Sequence, residues 1–147
     1  LIAAAERRRR RWADPATYAA SLRKRHPYSR FRLDMLHAHC HATLRQTEEG
    51  DYVLCCPPEV EAATYRSVDN PTTFAALPNL TVPVNFVAAE PAAPPQPPSW
   101  AALVQGIAAA RTPNSRLTQM ADTGHMMPFE KPGECRRILL QMLFKFS

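Results

Sequence analysis

The residue type best suited to chemistry in this chain is a single imidazole set among apolar side chains. His125 follows Gly124 in the stretch Ala121–Asp122–Thr123–Gly124–His125–Met126–Met127–Pro128–Phe129–Glu130–Lys131–Pro132. A histidine changes its charge near neutral pH, so on an exposed loop it can accept a proton and return it within one reaction cycle. Ser115–Arg116–Leu117–Thr118–Gln119–Met120 precedes it as one short strand, and an amphipathic helix follows. Gly124 lets the backbone turn and approach a neighbour closely, which a Cβ would hinder. The imidazole is thereby expected on a loop at the C-terminal end of a strand, where open α/β sheets carry their reactive groups.

Other reactive side chains are grouped less favourably. In His37–Ala38–His39–Cys40–His41 the first and third histidines share a helix face while His39 points away, and no further ligand completes a zinc set, so no metal site is expected. Cys40, Cys55, Cys56 and Cys135 have neither the spacing of a disulfide framework nor that of a Cys-x-x-Cys zinc site. Reduced thiols in an intracellular protein, cytoplasmic or alternatively peroxisomal, are the expectation. Arg7 to Arg11 supply much of the net charge of +5. Without interleaved aromatics or a nucleic-acid-binding signature, the run is read as a solvated helix end and no nucleic-acid partner is expected.

The elements that must hold the imidazole follow from pattern. Asp14–Pro15 starts a helix with Tyr18, Leu22 and Arg25 on one face, stopped at His26–Pro27. A second helix spans about 33–45, with Leu33, Leu36, Cys40 and Leu44 at helical spacing. Glu48–Glu49–Gly50–Asp51 is a turn, Tyr52–Cys56 a short strand ended by Pro57–Pro58, and 59–66 a short helix. Val82–Ala88 reads as a largely apolar strand of the kind found in a parallel sheet covered on both faces. Ala92–Pro98 is a stiff polyproline-like connector. Ser99 caps a helix to about Ala110, and the last helix runs from about Pro132 to Phe146 with an apolar stripe.

The strand–Gly–His–loop–helix ending, carried by Gly124, His125, Pro128, Glu130 and Pro132, resembles the C-terminus of the α/β-hydrolase family. The arginine run leading to Trp12 and a helix, then Gly50 to Tyr65, resembles the lid and lid exit of its lipase- and carboxylesterase-like members. The resemblance implies an α/β class with a partial α/β-hydrolase fold: the last two parallel core strands with flanking helices, plus a mainly helical cap. It divides the chain into residues 1–68, cap and return helix, and 69–147, the end of the core. In that family the order is nucleophile, acid, histidine. His125 is then the general base. At the place where the acid usually follows a strand in a Gly-Glu-x-Asp setting, this chain has Ala89–Glu90–Pro91–Ala92. Glu90 is the best local acid, with an acid on an earlier strand outside the chain as the alternative. Asp122 reads as a turn residue and Glu130 as a salt-bridge or capping group. Met126 and Met127 are expected to line an acyl pocket, with Trp12 in the cap above it. The substrate implied is a small apolar ester or lipid-like molecule, with no cofactor.

No Gly-x-Ser-x-Gly occurs, and only 4 Gly stand against 15 Pro in 147 residues. The chain is therefore read as the second half of a longer protein whose other half carries the nucleophile, and as inactive alone. Epoxide hydrolases and cofactor-free haloperoxidases share this ending and differ in the nucleophile. A non-catalytic pseudoenzyme or interaction module is the reading from another class. Nothing approaches the ~20 apolar residues of a membrane span, the terminal Lys145–Phe146–Ser147 is not a Ser-Lys-Leu peroxisomal signal, and nothing in the sequence sets the oligomeric state.

Overall fold

The computed structural model describes residues 2–67, 71–90 and 100–144. The chain divides into two compact units, Leu1–Asn70 and Pro71–Ser147.

The first unit begins with helix α1 (Ile2–Glu6) and strand β1 (Arg11–Trp12), followed by α2 (Pro15–Leu22). Asp14 caps α2 as its sequence requires: its carboxylate accepts from the Thr17 amide at 2.7 Å, and Pro15 occupies the first turn. After a 3-10 turn at Tyr28–Arg30 come α3 (Leu33–Thr43), β2 (Leu44–Gln46), β3 (Tyr52–Leu54) and α4 (Pro58–Arg66). The strands form an antiparallel sheet in the order β1-β3-β2, with Trp12 opposite Tyr52 and Leu44 opposite Leu54. The turn between β2 and β3 closes through the Thr47 amide bonded to the Asp51 carbonyl, and Gly50 takes a φ of +93° that a side chain would strain.

Several parts of this unit differ from the expectation, among them the helix expected to about 45, which ends at Thr43 so that Leu44 begins β2. The strand expected over 52–56 stops at Leu54, because the chain bends at Cys55–Cys56 before the two prolines. The arginine run is not a helix end: α1 stops at Glu6, and the arginines continue into β1. Arg8 bonds Glu61 at 2.5 Å and Tyr18 at 2.8 Å, Arg10 pairs with Glu59, and Arg11 with Asp51. Extended backbone sends neighbouring cations toward different carboxylates, which relieves the repulsion a helix would concentrate on one turn. Arg9 instead lies over the Trp12 ring, 4.3 Å from its centroid. Tyr18, Phe31, Leu36 and Cys40 form the buried centre. Leu33, placed on the buried face by spacing alone, is exposed at the first position of α3.

The second unit contains α5 (Pro71–Ala76), a 3-10 turn at Leu77–Asn79, β4 (Val84–Ala89), α6 (Trp100–Arg111), β5 (Ser115–Met120), α7 (Met127–Glu130) and α8 (Pro132–Leu143). The two strands are parallel and in register from Val84 opposite Ser115 to Ala89 opposite Met120, with α6 connecting them and packing on both. Pro83 lies just outside β4, where its missing N–H costs no ladder bond. Asn85, which interrupts the apolar pattern, accepts from the Thr118 hydroxyl at 3.0 Å on the neighbouring strand. The connector over 92–98, the Ser99 cap and the end of the last helix at Phe146 lie outside the described residues. Met120, Met127 and Ile138 are the buried centre, packed by Val87, Ala89 and Cys135.

All four cysteines are free. Burial pushes the Cys40 thiol above its ordinary pKa; burial, then the charge of Glu134, does the same to Cys135. Among the described residues no helix is long and apolar enough to cross a membrane.

Candidate active site

The chemistry-bearing residues of the second unit gather at the C-terminal ends of β4 and β5. Glu90 is the first residue beyond β4, and its amide donates to the Met120 carbonyl at 2.9 Å, which extends the parallel ladder one step past the strand. The chain leaving β5 then turns at once. Asp122 makes the turn with a φ of +47°, a conformation that Asp tolerates better than most side chains. The Thr123 hydroxyl donates back to the Met120 carbonyl at 3.0 Å. Gly124 is not the residue with left-handed geometry. Its role is the close approach: a Cβ there would come within 2.8 Å of Glu130 Oε1.

His125 is exposed on this loop, five residues beyond the end of β5, with no hydrogen-bond partner among the described residues. Glu90 is exposed too, on the adjacent strand end. Parallel neighbours lie about 4.8 Å apart, so the register puts the two segments side by side at one rim, while their side chains are not joined by a hydrogen bond. An exposed imidazole on a constrained loop can serve as a proton acceptor for a group brought to that rim.

Glu130 and Lys131 hold the loop from below. The Glu130 carboxylate, 8% exposed, accepts from the Gly124 amide with its oxygens at 3.1 and 3.0 Å. Lys131 Nζ donates to the Ala121 carbonyl at 2.8 Å. These contacts could be suspected from a Gly six residues before a Glu across a Pro-containing turn, but the pattern does not say which backbone group the carboxylate meets.

The remaining expected residues are spread over both units. Met126 is half-buried beside His125 at the start of α7. Met127 is buried and lines a largely apolar cavity of about 300 Å³ with Val87, Cys135, Ile138 and Met142, on the face of the sheet that α8 covers. Trp12 is buried in the first unit, its ring 4.8 Å from that of Tyr18, and its indole N–H has no partner among the described residues. Of the clustered histidines, His37 and His41 are exposed. His39 is half-buried against the rings of Tyr28 and Phe31, at 5.6 and 5.9 Å. Among the described residues no three His, Cys, Asp or Glu side chains come together as a metal site would require.

Neither a protein-family model nor a curated protein sequence matches the chain. Two solved structures do. One is the crystal structure of E-2-(acetamidomethylene)succinate hydrolase, at a TM-score of 0.68 and 18% identity, matched over 97% of this chain and 51% of that one. The other is a thermophilic esterase from Thermogutta terrifontis with malate bound, at a TM-score of 0.57 and 19% identity, matched over 98% of this chain and 47% of that one. The chain thus spans about half the length of the structures it is similar to. Its parallel strands and flanking helices are a partial α/β-hydrolase fold.

Proposed function

We propose that this chain is the histidine-bearing part of a serine-type α/β-hydrolase that cleaves small apolar esters or lipid-like molecules. The single observation that carries the reading is the rim itself: an exposed imidazole on the loop beyond β5, and a carboxylate at the end of β4, the strand that pairs with β5, in a fold like that of two hydrolases. In this reading His125 takes the proton of a serine hydroxyl as it attacks the ester carbonyl, then delivers it to the leaving alkoxide. Glu90 holds the imidazole in the productive tautomer. The serine and the amides that stabilise the oxyanion come from residues outside this chain, and the chain alone is inactive. The first unit acts as the cap. Met126, next to the imidazole and half-exposed, is the first acyl contact.

The test is a panel of p-nitrophenyl esters of increasing acyl length given to the full-length protein. Turnover of at least one ester is expected, and His125→Ala should lower kcat/KM about ten-thousand-fold. Silence across the whole panel removes the esterase reading. Glu90→Gln is expected to cost a comparable factor through the wrong tautomer; unchanged kcat in that variant would assign the acid to a residue outside this chain.

A further inference from the structure

The geometry points to Glu130 as the positioning residue of the catalytic loop, a buried carboxylate that fixes the backbone on which His125 is carried; this rests on the hydrolase reading of His125. A carboxylate taken out of water is costly unless its oxygens are met by donors. Here the Gly124 amide, one residue before the histidine, lies 3.1 and 3.0 Å from the two oxygens. A hydrogen bond to an ionised acceptor is stronger than one between neutral groups. The next residue adds a second point of attachment, since Lys131 Nζ reaches the Ala121 carbonyl at 2.8 Å. Consecutive residues of opposite charge therefore grip an amide and a carbonyl on either side of the Asp122 turn. The grip is anchored in the core, because α7 buries Met127 against Met120 and Ile138.

The same contact explains the glycine. The Cβ of any other residue at 124 would sit 2.8 Å from Glu130 Oε1, so the carboxylate would have to shift and its bond to the 124 amide would be disturbed. Glu130 thus acts on the reaction through Gly124 and not on the substrate. A histidine displaced by an ångström can lose about a hundredfold in rate, which is the scale on which such a clamp matters.

Three forms of the full-length protein test this: wild type, Glu130→Gln and Glu130→Ala. Glutamine keeps one acceptor oxygen for the Gly124 amide, and alanine keeps none. By hydrogen–deuterium exchange, the Gly124 amide should be protected in the wild type and exchange about ten- to a hundredfold faster in Glu130→Ala, with Glu130→Gln between them. On the best ester, kcat should follow the same order while KM changes less than about twofold. Fast exchange of that amide in the wild type overturns the clamp, and this result needs no variant to fold. Equal loss of kcat in the two variants with the amide still protected also overturns it, because the carboxylate would then act on the imidazole directly. If the wild type hydrolyses no ester, the hydrolase reading falls, whereas the exchange rates still decide whether Glu130 holds the loop.

Discussion

The two units reach burial by different routes. In the first, β2 and β3 are joined by a turn of a few residues, and the helices pack on one another in pairs, α1 on α4 and α2 on α3. Its largest fully buried side chains, Tyr18, Phe31 and Leu36, are at most 2% exposed. In the second, two parallel strands require a helix to connect them, and a parallel pair is stable only as part of a wider sheet covered on both faces. Its helices accordingly leave Leu103, Ile107, Leu139 and Leu143 exposed by 44 to 57% and Phe144 by 76%. The difference teaches where the chain is self-sufficient. The unit read as a cap buries its large aromatics and leaves Leu33 and Val60 exposed one at a time, whereas the unit carrying His125 exposes pairs of apolar side chains along each of its long helices.

Separating the units would break this comparison most directly. Residues 1–70 are expected to melt cooperatively with a near-UV circular dichroism signal, and residues 71–147 to melt broadly and bind a hydrophobic dye. A sharp transition from 71–147 would mean that two strands suffice after all. Single truncations sharpen the same contrast. Phe31→Ala should cost about 3–5 kcal/mol in denaturant unfolding, as for other buried aromatics. Leu139→Ala and Leu143→Ala, which remove side chains more than half exposed, should each fall within about 0.5 kcal/mol of wild type.

What could be read from the sequence follows the same division. Signals local to one segment were legible: the Asp14–Pro15 cap, the turn at Gly50, the two parallel strands with a helix between them, and the last helix. Strands β1 and β2 were not, because two or three residues show no alternation and exist only by pairing with β3. The arginine run misled for a related reason: its partners, Glu59 and Glu61, lie about fifty residues away, and charge alone does not reveal them. At the rim, Gly124 and His125 were recognisable as a pair. The turn at Asp122 was legible as well, since Asp tolerates a positive φ; the clamp from Glu130 was not, because it meets a backbone amide that no residue type announces.

A pH titration separates the units again. Burial first, then repulsion from Arg8, holds His39 below its ordinary pKa in the folded first unit. Between that lowered value and the unfolded value of about 6.5, the unfolded chain binds more protons, so stability rises with pH there and levels off above it. Unfolding of residues 1–70 should therefore become easier as pH falls below about 6.5, and His39→Gln should flatten that slope. A slope unchanged in the variant would mean that another group is responsible.

The smallest effect concerns the arginines. Arg11 and Asp51 meet at 2.9 Å, but their side chains are 61% and 36% exposed, and water screens most of their attraction. A double-mutant cycle with Arg11→Ala and Asp51→Ala should give a coupling below about 1 kcal/mol, largely abolished in 1 M salt. Arg8 and Glu61, at 28% and 22%, are better shielded, and Arg8 also donates to the Tyr18 hydroxyl, so their coupling should survive that salt. The pair of cycles asks whether the run is part of the fold or a surface kept for a polyanion. A polyanion-binding stripe would show weak internal coupling at both positions and a steeply salt-dependent complex with nucleic acid. Strong coupling at Arg8 alone places the inner end of the run in the core of the first unit and leaves its outer end as solvated charge.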